Sequence, residues 1–178
     1  MSDNDEAMLD LETLGNGNHA VISAIGIVMF DPVAKTIDKA NGFYQLVDIQ
    51  SCVDHGLQMD VSTILWWMKQ SDAARAIYTT DRPKPKLPSV LDALIEWFGG
   101  RDIPVWGNGS PFDNVILRNA CKACGHEAPW SFWNDRCYRT MKAKNQHVKM
   151  ARTGVHHNAF DDAVSQANHL INILNQGA

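Results

Sequence analysis

Three short segments of the sequence carry carboxylate and imidazole side chains at spacings that suit chemistry on a phosphate. In the first, Asp10 and Glu12 lie two residues apart at the end of an apolar segment that predicts a β-strand. Because residues i and i+2 of a strand point to the same face, both carboxylates would meet at one point. Two like charges that close are unfavourable without a cation, so the pair indicates a metal site. Such a triplet is common by chance in a chain with 20 acidic residues, and an exposed strand end is the alternative.

The second segment, residues 106–113, is predicted to run from the end of a strand through a loop into a helix. Ser110, Pro111 and Asp113 have the spacing of an N-cap, a first-turn proline and a capping-box acid. This helix-capping role would account for Asp113 completely. The alternative is a functional role, which requires Asp113 to lie near the first two carboxylates at the same edge of the sheet.

The third segment opens the last predicted helix, which extends from about Asn158 to Leu174. Asn158 and Asp161 have the spacing of a helix cap and its partner, which leaves the carboxylate of Asp162 available. On a helical wheel Asp162 points away from the apolar stripe, so we expect it in a pocket or in solvent. His157 precedes the helix, in a loop that can close over a site.

The elements that must position these groups follow from the hydrophobic pattern. Residues 7–10, 20–30 and 43–49 are rich in branched and aromatic side chains and predict strands joined by turns. Later segments have helical periodicity, around a further apolar stretch at 103–106. This order predicts an α/β fold with a mixed sheet flanked by helices. One predicted helix carries the apolar stripe Val61, Ile64, Leu65 and Met68.

Composition and charge narrow the class of protein. A chain of 178 residues with 45% hydrophobic content predicts a single domain over residues 1–178. The net charge of −4 excludes a histone-like positive coat, so a nucleic-acid partner would need a local basic patch. No apolar run reaches the roughly 18 residues of a membrane span, and the acidic start is unlike a secretory signal. We therefore expect a soluble, cytoplasmic protein with no membrane partner.

The cysteines allow two interpretations. Cys121 and Cys124, with His126 and Cys137 downstream, have spacings that zinc sites use. The first two also continue the apolar stripe of a predicted helix that starts near Phe112. We expect packing in the core rather than zinc binding.

A basic segment precedes the third motif. Residues 135–152 contain six lysines and arginines and one acid, without an apolar periodicity that would bury them. They are predicted to contact substrate phosphates, and a solvated face is the alternative. Trp66 lies off the apolar stripe of its own predicted helix, so stacking on a base and a subunit interface in a homodimer are both open.

Taken in order, the three segments resemble the motifs of the DEDDh 3′-to-5′ exonucleases. The matching residues are Asp10-Leu-Glu12-Thr13, Asp113 after Asn108-Gly-Ser-Pro-Phe, and His157-Asn-Ala-Phe-Asp-Asp162-Ala163. The match spans nearly the whole chain, and the spacing from His157 to Asp162 is its most specific part. Trp66-Trp67 with Gln70, and the segment from Pro129 to Thr140, are similar to the bacteriophage exonuclease A and Rv2179c-like branch.

The resemblance implies an RNase H-like fold with a five-stranded mixed sheet and the carboxylates at its centre. It also implies a cofactor of two Mg²⁺ or Mn²⁺ ions. Asp10 would bridge both ions, and Glu12 and Asp162 would bind the ion on the nucleophile side. Asp113 would hold the other ion mainly through water.

The same resemblance implies which side chains handle the proton and the substrate. His157 would be the general base, since only its five-residue spacing to Asp162 distinguishes it from the adjacent His156. The substrate would be the 3′ end of single-stranded DNA or RNA, and the product a nucleoside 5′-monophosphate. The backbone of the turn at Thr13 and Leu14 would lie beside the terminal nucleotide. Further candidates for substrate contacts are Asn108, which could instead simply close its loop, Trp66, Arg139, Lys142 and Lys144.

Two other functions are compatible with the same pattern. A structure-specific nuclease of this fold is disfavoured by the histidine five residues before the last acid, which belongs to the exonuclease pattern. A catalytically silent nucleic-acid-binding module is disfavoured because all five catalytic positions are filled.

Overall fold

The computed structural model describes residues 5–176, which form a five-stranded mixed sheet flanked by helices. The strand order is β3-β2-β1-β4-β5. The first three strands are antiparallel neighbours, whereas β4 pairs in parallel with β1, and β5 in parallel with β4. The predicted fold class is therefore confirmed. The strands are β1 (Glu6–Thr13), β2 (Ile22–Asp31), β3 (Thr36–Leu46), β4 (Val105–Gly107) and β5 (Asp135–Cys137).

The helices cover both faces of this sheet. Among residues 5–176, none combines the length and the apolar character that crossing a membrane requires. The pattern of the sequence located the long helices but missed several short ones. The helices are α1 (Ile49–Asp54), α2 (Val61–Trp67), α3 (Asp72–Thr79), α4 (Leu87–Phe98), α5 (Asp113–Ala123), α6 (Tyr138–Lys144) and α7 (Ala159–Leu174), with a single 3₁₀ turn at Phe132–Asn134.

The sheet separates two apolar layers, and β1 contributes to both. Leu9 and Leu11 belong to the larger layer, which contains side chains of α4 and α5. Met8 belongs to the smaller layer, which it shares with α7. Because side chains alternate along a strand, Asp10 and Glu12 continue the row of Met8 and face the α7 side. A central strand therefore carries two carboxylates where its pattern calls for apolar residues.

The predicted packing of α2 is wrong. Val61, Leu65 and Met68 are 73%, 52% and 65% exposed, so most of the apolar stripe faces outward, whereas Ile64 is partly buried against the larger layer. The helix is held instead by Trp67, which is buried and donates its indole N–H to the carbonyl oxygen of Thr13 at 2.8 Å. The prediction for the cysteine helix fits the structure better, because Cys121 lies fully buried in the larger apolar layer.

Gly26 of β2 sets how closely α7 approaches the sheet. It lies opposite Asp10 in the pairing of β1 with β2. A Cβ atom at position 26 would lie 2.2 Å from the carbonyl carbon of Ala159, the first residue of α7. A side chain cannot occupy that space without moving the helix. The absence of a Cβ therefore allows the start of α7, with Asp162, to lie over β1.

We predict that Gly26→Ala lowers the free energy of unfolding by about 1–3 kcal/mol, because the added methyl group overpacks the contact between α7 and β2. The measurement is urea unfolding. Gly17→Ala is the matched control, since a Cβ at that position meets nothing within 4 Å, and its effect should stay within about 0.5 kcal/mol. Equal stability of the two variants would contradict the packing argument.

Candidate active site

All five predicted catalytic residues line one cavity of about 360 Å³. Of the predicted substrate contacts, Trp66, Asn108, Arg139 and Lys142 also line it. Thr13, Leu14 and Lys144 do not, and their contacts with substrate remain predictions. The five residues predicted to be catalytic are Asp10, Glu12, Asp113, His157 and Asp162.

Asp10, Glu12 and Asp162 form the centre of the site. All three side chains are buried, and one oxygen from each lies within 4.8 Å of those of the other two. The side-chain amide of Gln166 donates to Asp10 Oδ1 at 2.7 Å. Gln166 follows Asp162 by one helical turn, so both project from α7 towards β1. The start of α7 therefore completes the acidic cluster that β1 begins.

Asp113 reaches the cluster from the other side of β1. Strand β4 ends at Gly107, opposite Leu9, so the backbone of β1 beyond that point lacks a partner strand on this side. The carboxylate of Asp113 accepts a hydrogen bond from the backbone N–H of Leu11 at 3.2 Å. The predicted capping box is wrong, because α5 begins at Asp113, with Phe112 in the cap position and no side-chain capping bond.

Of the other predicted cap, the part played by Asn158 is confirmed, whereas Asp161 accepts from the backbone N–H of Val155 instead of completing a capping box. Asn158 accepts from the backbone N–H groups of Phe160 and Asp161 at the start of α7. Asp162 is then free for other partners, as expected. Its carboxylate accepts the backbone N–H of His157 at 2.9 Å and the guanidinium of Arg152 at 2.7 Å.

His157 is held in a strained backbone conformation beside aromatic rings. Its φ of 65° lies in the left-handed region, which few residues other than glycine adopt. The imidazole packs edge-on against Trp66, with ring centroids 4.9 Å apart, and against Trp67 at 5.8 Å. On its other side it stacks on His156 at 3.7 Å. Partial burial, and then the charge of His156, lower the pKa of His157, which favours the neutral, proton-accepting form.

Burial raises the pKa values of Asp10, Glu12 and Asp113, and neighbouring carboxylates add to the effect at Asp10 and Glu12. Burial raises the pKa of Asp10 well above its usual range, and the charges of Asp113 and Glu12 add to this effect. Burial and the charges of Asp162 and Asp113 raise the pKa of Glu12 to about 8. The pKa of Asp113 is about 7, raised by burial against the opposing hydrogen bond from Leu11.

The cluster fits divalent cations. Glu12 Oε1 and Asp113 Oδ2 are buried and have no hydrogen-bond partner among residues 5–176. Unsatisfied buried carboxylate oxygens are unfavourable unless a cation or a proton neutralises them. A set made only of carboxylate oxygens suits hard ions such as Mg²⁺ and Mn²⁺. The residues present therefore match the metal site that the sequence predicts.

The basic segment approaches the cavity through α6. Arg139 donates to the carbonyl oxygen of Asn108, and its charge acts on Asp113 to lower the pKa of that carboxyl. Arg139, Lys142 and Arg152 line the cavity. None of the six lysines and arginines is buried, as expected, whereas Tyr138 between them is fully buried, with its hydroxyl 2.6 Å from His169 Nδ1. This contact fixes α6 on α7.

Three contributors to the site were missed at the level of sequence. Gln166 has a detectable pattern, because it lies one helical turn after Asp162 on the same face. Trp67 was noted only as part of a resemblance, and nothing local distinguishes it from Trp66. Gly26 has no local pattern, because its role depends on a helix more than a hundred residues away in the chain.

Comparison with known proteins agrees with this geometry. The model of one family, described as the 3′-5′ exoribonuclease Rv2179c-like domain, matches residues 5–174. The chain belongs to the Rv2179c-like family. Its membership confirms the DEDDh superfamily and an enzyme of the 3′-to-5′ exonuclease class.

This Rv2179c-like chain resembles proteins whose printed names or bound nucleotides are of both the deoxyribose and the ribose type. It is 28% identical over 159 residues to an exodeoxyribonuclease of Enterobacteria phage T4, covering 75% of this chain and 68% of that protein. Its fold is similar to the nuclease domain of 3′hExo, a DEDDh family member bound to rAMP. That comparison has a TM-score of 0.66 and 15% identity, and covers 98% of this chain and 93% of the other. E. coli Exonuclease I in complex with a dA16 oligonucleotide matches at a TM-score of 0.60 and 12% identity, over 93% of this chain and 39% of the other.

We predict that the metal-free protein loses stability as the pH rises from about 4 to about 8. A carboxyl group whose pKa is higher in the folded than in the unfolded state binds a proton more tightly when folded, so its ionisation opposes folding. Asp10→Asn removes one charge and keeps an oxygen for Gln166. In urea unfolding with EDTA, it should be more stable than the wild type at pH 8 by about 1 kcal/mol or more, since one unit of pKa shift corresponds to about 1.4 kcal/mol.

The difference between the two proteins should shrink towards pH 4, because the folded cluster is protonated there and the unfolded carboxyls, with pKa values of about 4, are about half protonated. Asp81→Asn removes the same charge at an exposed position and serves as the control. If Asp10→Asn were less stable than the wild type at pH 8, the carboxylates would not be repelling one another as described.

Proposed function

We propose that this Rv2179c-like domain is a two-metal-ion exonuclease that releases nucleoside 5′-monophosphates from the 3′ ends of single-stranded nucleic acid. The observation that carries the proposal is the convergence of four carboxylates and one imidazole in a single cavity. Each carboxylate comes from a rigid element, either a central strand or the first turn of a helix. The constellation is therefore fixed before substrate arrives, as catalysis by positioning requires.

The acidic cluster would hold the ions. Asp10, Glu12 and Asp162, whose oxygens lie within 4.8 Å of one another, would be ligands, and Asp113 would add a fourth carboxylate. When bound, two divalent cations stabilise the charge that develops on the attacking and departing oxygens, and they lower the pKa of a water molecule. Gln166 holds one oxygen of Asp10 at 2.7 Å, which orients its carboxylate in advance.

His157 would accept the proton of the attacking water. Its lowered pKa keeps the ring neutral at physiological pH, so that it can take up a proton. Trp66 and Trp67 pack against the ring and limit its rotation. Trp67 is in turn tied to the backbone of β1, close to Glu12. The base and the ligands therefore share one structural support.

The substrate would enter along the basic side of the cavity. Arg139 and Lys142 face the site from α6 and would bind phosphates upstream of the scissile bond. Trp66 is 41% exposed at the rim of the cavity and offers a ring on which a base could stack. Its contact with His157 favours a role at the active site over a subunit interface. The names of the family and of the phage relative motivate testing RNA and DNA side by side.

We expect Mg²⁺- or Mn²⁺-dependent shortening from the 3′ end with release of nucleoside 5′-monophosphates. The measurement is a time course on 3′- and 5′-labelled RNA and DNA oligonucleotides, single-stranded and duplex. His157→Ala should lower turnover by roughly 10²–10⁴, which is the usual contribution of a general base. His156→Ala is the matched control and should stay near the wild type in Mg²⁺.

Activity that survives EDTA, or that starts at the 5′ end, would contradict the proposal. Equal losses in the two histidine variants would contradict the assignment of the base. Tight binding of single strands without release of mononucleotides would instead indicate a binding module, and cleavage confined to structured substrates a structure-specific nuclease.

A further prediction concerns the basic segment. Replacing Arg139 and Lys142 by Ala should flatten the plot of log K against log salt concentration by up to about 1.4, at roughly 0.7 per phosphate contact with a single strand. The measurement is oligonucleotide binding with Ca²⁺ in place of Mg²⁺ to prevent cleavage. In the presence of Mg²⁺, the same variant should raise KM more than it lowers kcat, because distant phosphate contacts act on ground and transition states alike.

Two comparisons define what this experiment shows. Lys35→Ala with Lys39→Ala removes the same charge from the β2–β3 hairpin and should leave the slope unchanged. Adding Lys144→Ala to the first variant tests the predicted contact that lies outside the cavity. An unchanged slope in the Arg139 and Lys142 variant would mean that this segment is only a solvated face.

A further inference from the structure

A second group of potential metal ligands overlaps the acidic cluster. His156, His157 and Asp162 each offer one ligand atom, and these atoms lie within 4.8 Å of one another. Asp162 belongs to this group and also to the cluster with Asp10 and Glu12. The two groups differ in chemistry, because one presents only oxygen and the other presents two imidazole nitrogens and one oxygen.

This difference selects different ions. Carboxylate oxygens suit Mg²⁺ and Mn²⁺, whereas imidazole suits Zn²⁺ and its neighbours late in the first transition series. Two imidazoles and one carboxylate, with a fourth position open to solvent, form a common tetrahedral zinc site. The neutral form of each ring is the form that binds a metal.

The local backbone keeps the three ligands together. The left-handed conformation of His157 is held by the hydrogen bond from its N–H to Asp162 Oδ2 at 2.9 Å. Stacking at 3.7 Å places the ring of His156 beside that of His157. Ligand atoms around a tetrahedral Zn²⁺ lie roughly 3.3 Å apart, given Zn–N distances of about 2.0–2.1 Å. The ring of His156 is exposed and can rotate to close that gap.

The guanidinium of Arg152 also contacts these three residues, through Asp162. Arg152 donates to Asp162 Oδ1, yet its side chain is 45% exposed. Asp162 itself is buried, so a metal that binds its carboxylate would displace the guanidinium, and the exposed side chain of Arg152 can then turn into solvent. The route from solvent to His156 and Asp162 is therefore open.

We propose that His156, His157 and Asp162 bind Zn²⁺ and that this ion inhibits the enzyme. Zn²⁺ bound here occupies the lone pair with which His157 would accept a proton, and it takes a carboxylate from the magnesium cluster. The inhibitory effect rests on the proposed function, whereas the binding of zinc does not. His156, which has no role in hydrolysis, acts as the ligand that makes the site selective for zinc.

Binding is tested by titrating ZnCl₂ into metal-stripped protein in a calorimeter. Asp10→Asn disables the magnesium cluster but keeps all three zinc ligands, so its zinc affinity should match that of the wild type. His156→Ala, alone or combined with Asp10→Asn, should weaken zinc binding by at least about tenfold. His147→Ala is the matched control, because it removes another exposed imidazole, one that contacts Gln176 instead.

Inhibition is tested by adding ZnCl₂ at saturating Mg²⁺ and normalising each variant to its own activity without zinc. His156→Ala should raise the concentration for half-inhibition by the same factor as its loss of affinity, and His147→Ala should not change it. Equal zinc affinity or equal inhibition in wild type and His156→Ala, or loss of zinc binding in Asp10→Asn, would overturn the proposal. Protein that binds zinc as described but hydrolyses no oligonucleotide in Mg²⁺ would instead overturn the proposed function.

Discussion

The fold of this protein must accommodate repulsion among buried carboxylates. Four acids converge beside the central strand, where desolvation opposes the ionisation of Asp10, Glu12 and Asp113 and like charge adds to this at Asp10 and Glu12. Two apolar layers, one on each face of the sheet, supply the folding free energy that tolerates this arrangement. Because Gly26 has no side chain, α7 can approach β1 closely enough to bring Asp162 beside Asp10 and Glu12. The metal-free protein is thus less stable than it would be without these carboxylates, but it presents a cluster of them to which a cation can bind.

The supports of the site differ in rigidity, and this difference corresponds to the roles we propose. The carboxylates project from a paired strand and from the first turns of helices, where the helix dipole favours negative charge. His157 comes from a loop, where its backbone N–H donates to Asp162 and its imidazole packs against two tryptophans. Metal ligands must keep a fixed geometry, whereas a general base must be able to shift slightly as it accepts a proton and releases it. The fold places the fixed groups on the scaffold and the adjustable group on the loop.

Prediction from the sequence succeeded where the deciding interactions are local in the chain and failed where they join distant residues. Asp10 and Glu12 could be placed because strand alternation is local, and Asp162 because the cap at Asn158 is local. The prediction for Asp113 was ambiguous, since a short-range capping pattern competed with a hydrogen bond to Leu11 across 102 positions of the chain. The pattern did not predict that most of the apolar stripe of α2 is exposed. One tertiary contact, from Trp67 to the end of β1, outweighed the pattern of a helix only 7 residues long.

The hydrogen bond from the backbone amide of Leu11 joins a central strand to the carboxylate of Asp113 in the candidate site. Most strand amides donate to carbonyl groups, which do not titrate, but this one donates to a carboxylate whose ionisation changes with pH and with bound cation. The amide nitrogen and proton frequencies of Leu11 are therefore a natural probe of the active site, readable by magnetic resonance in the unmodified protein. Through this single resonance, the electrostatic state of the cavity can be followed without replacing any residue that lines it.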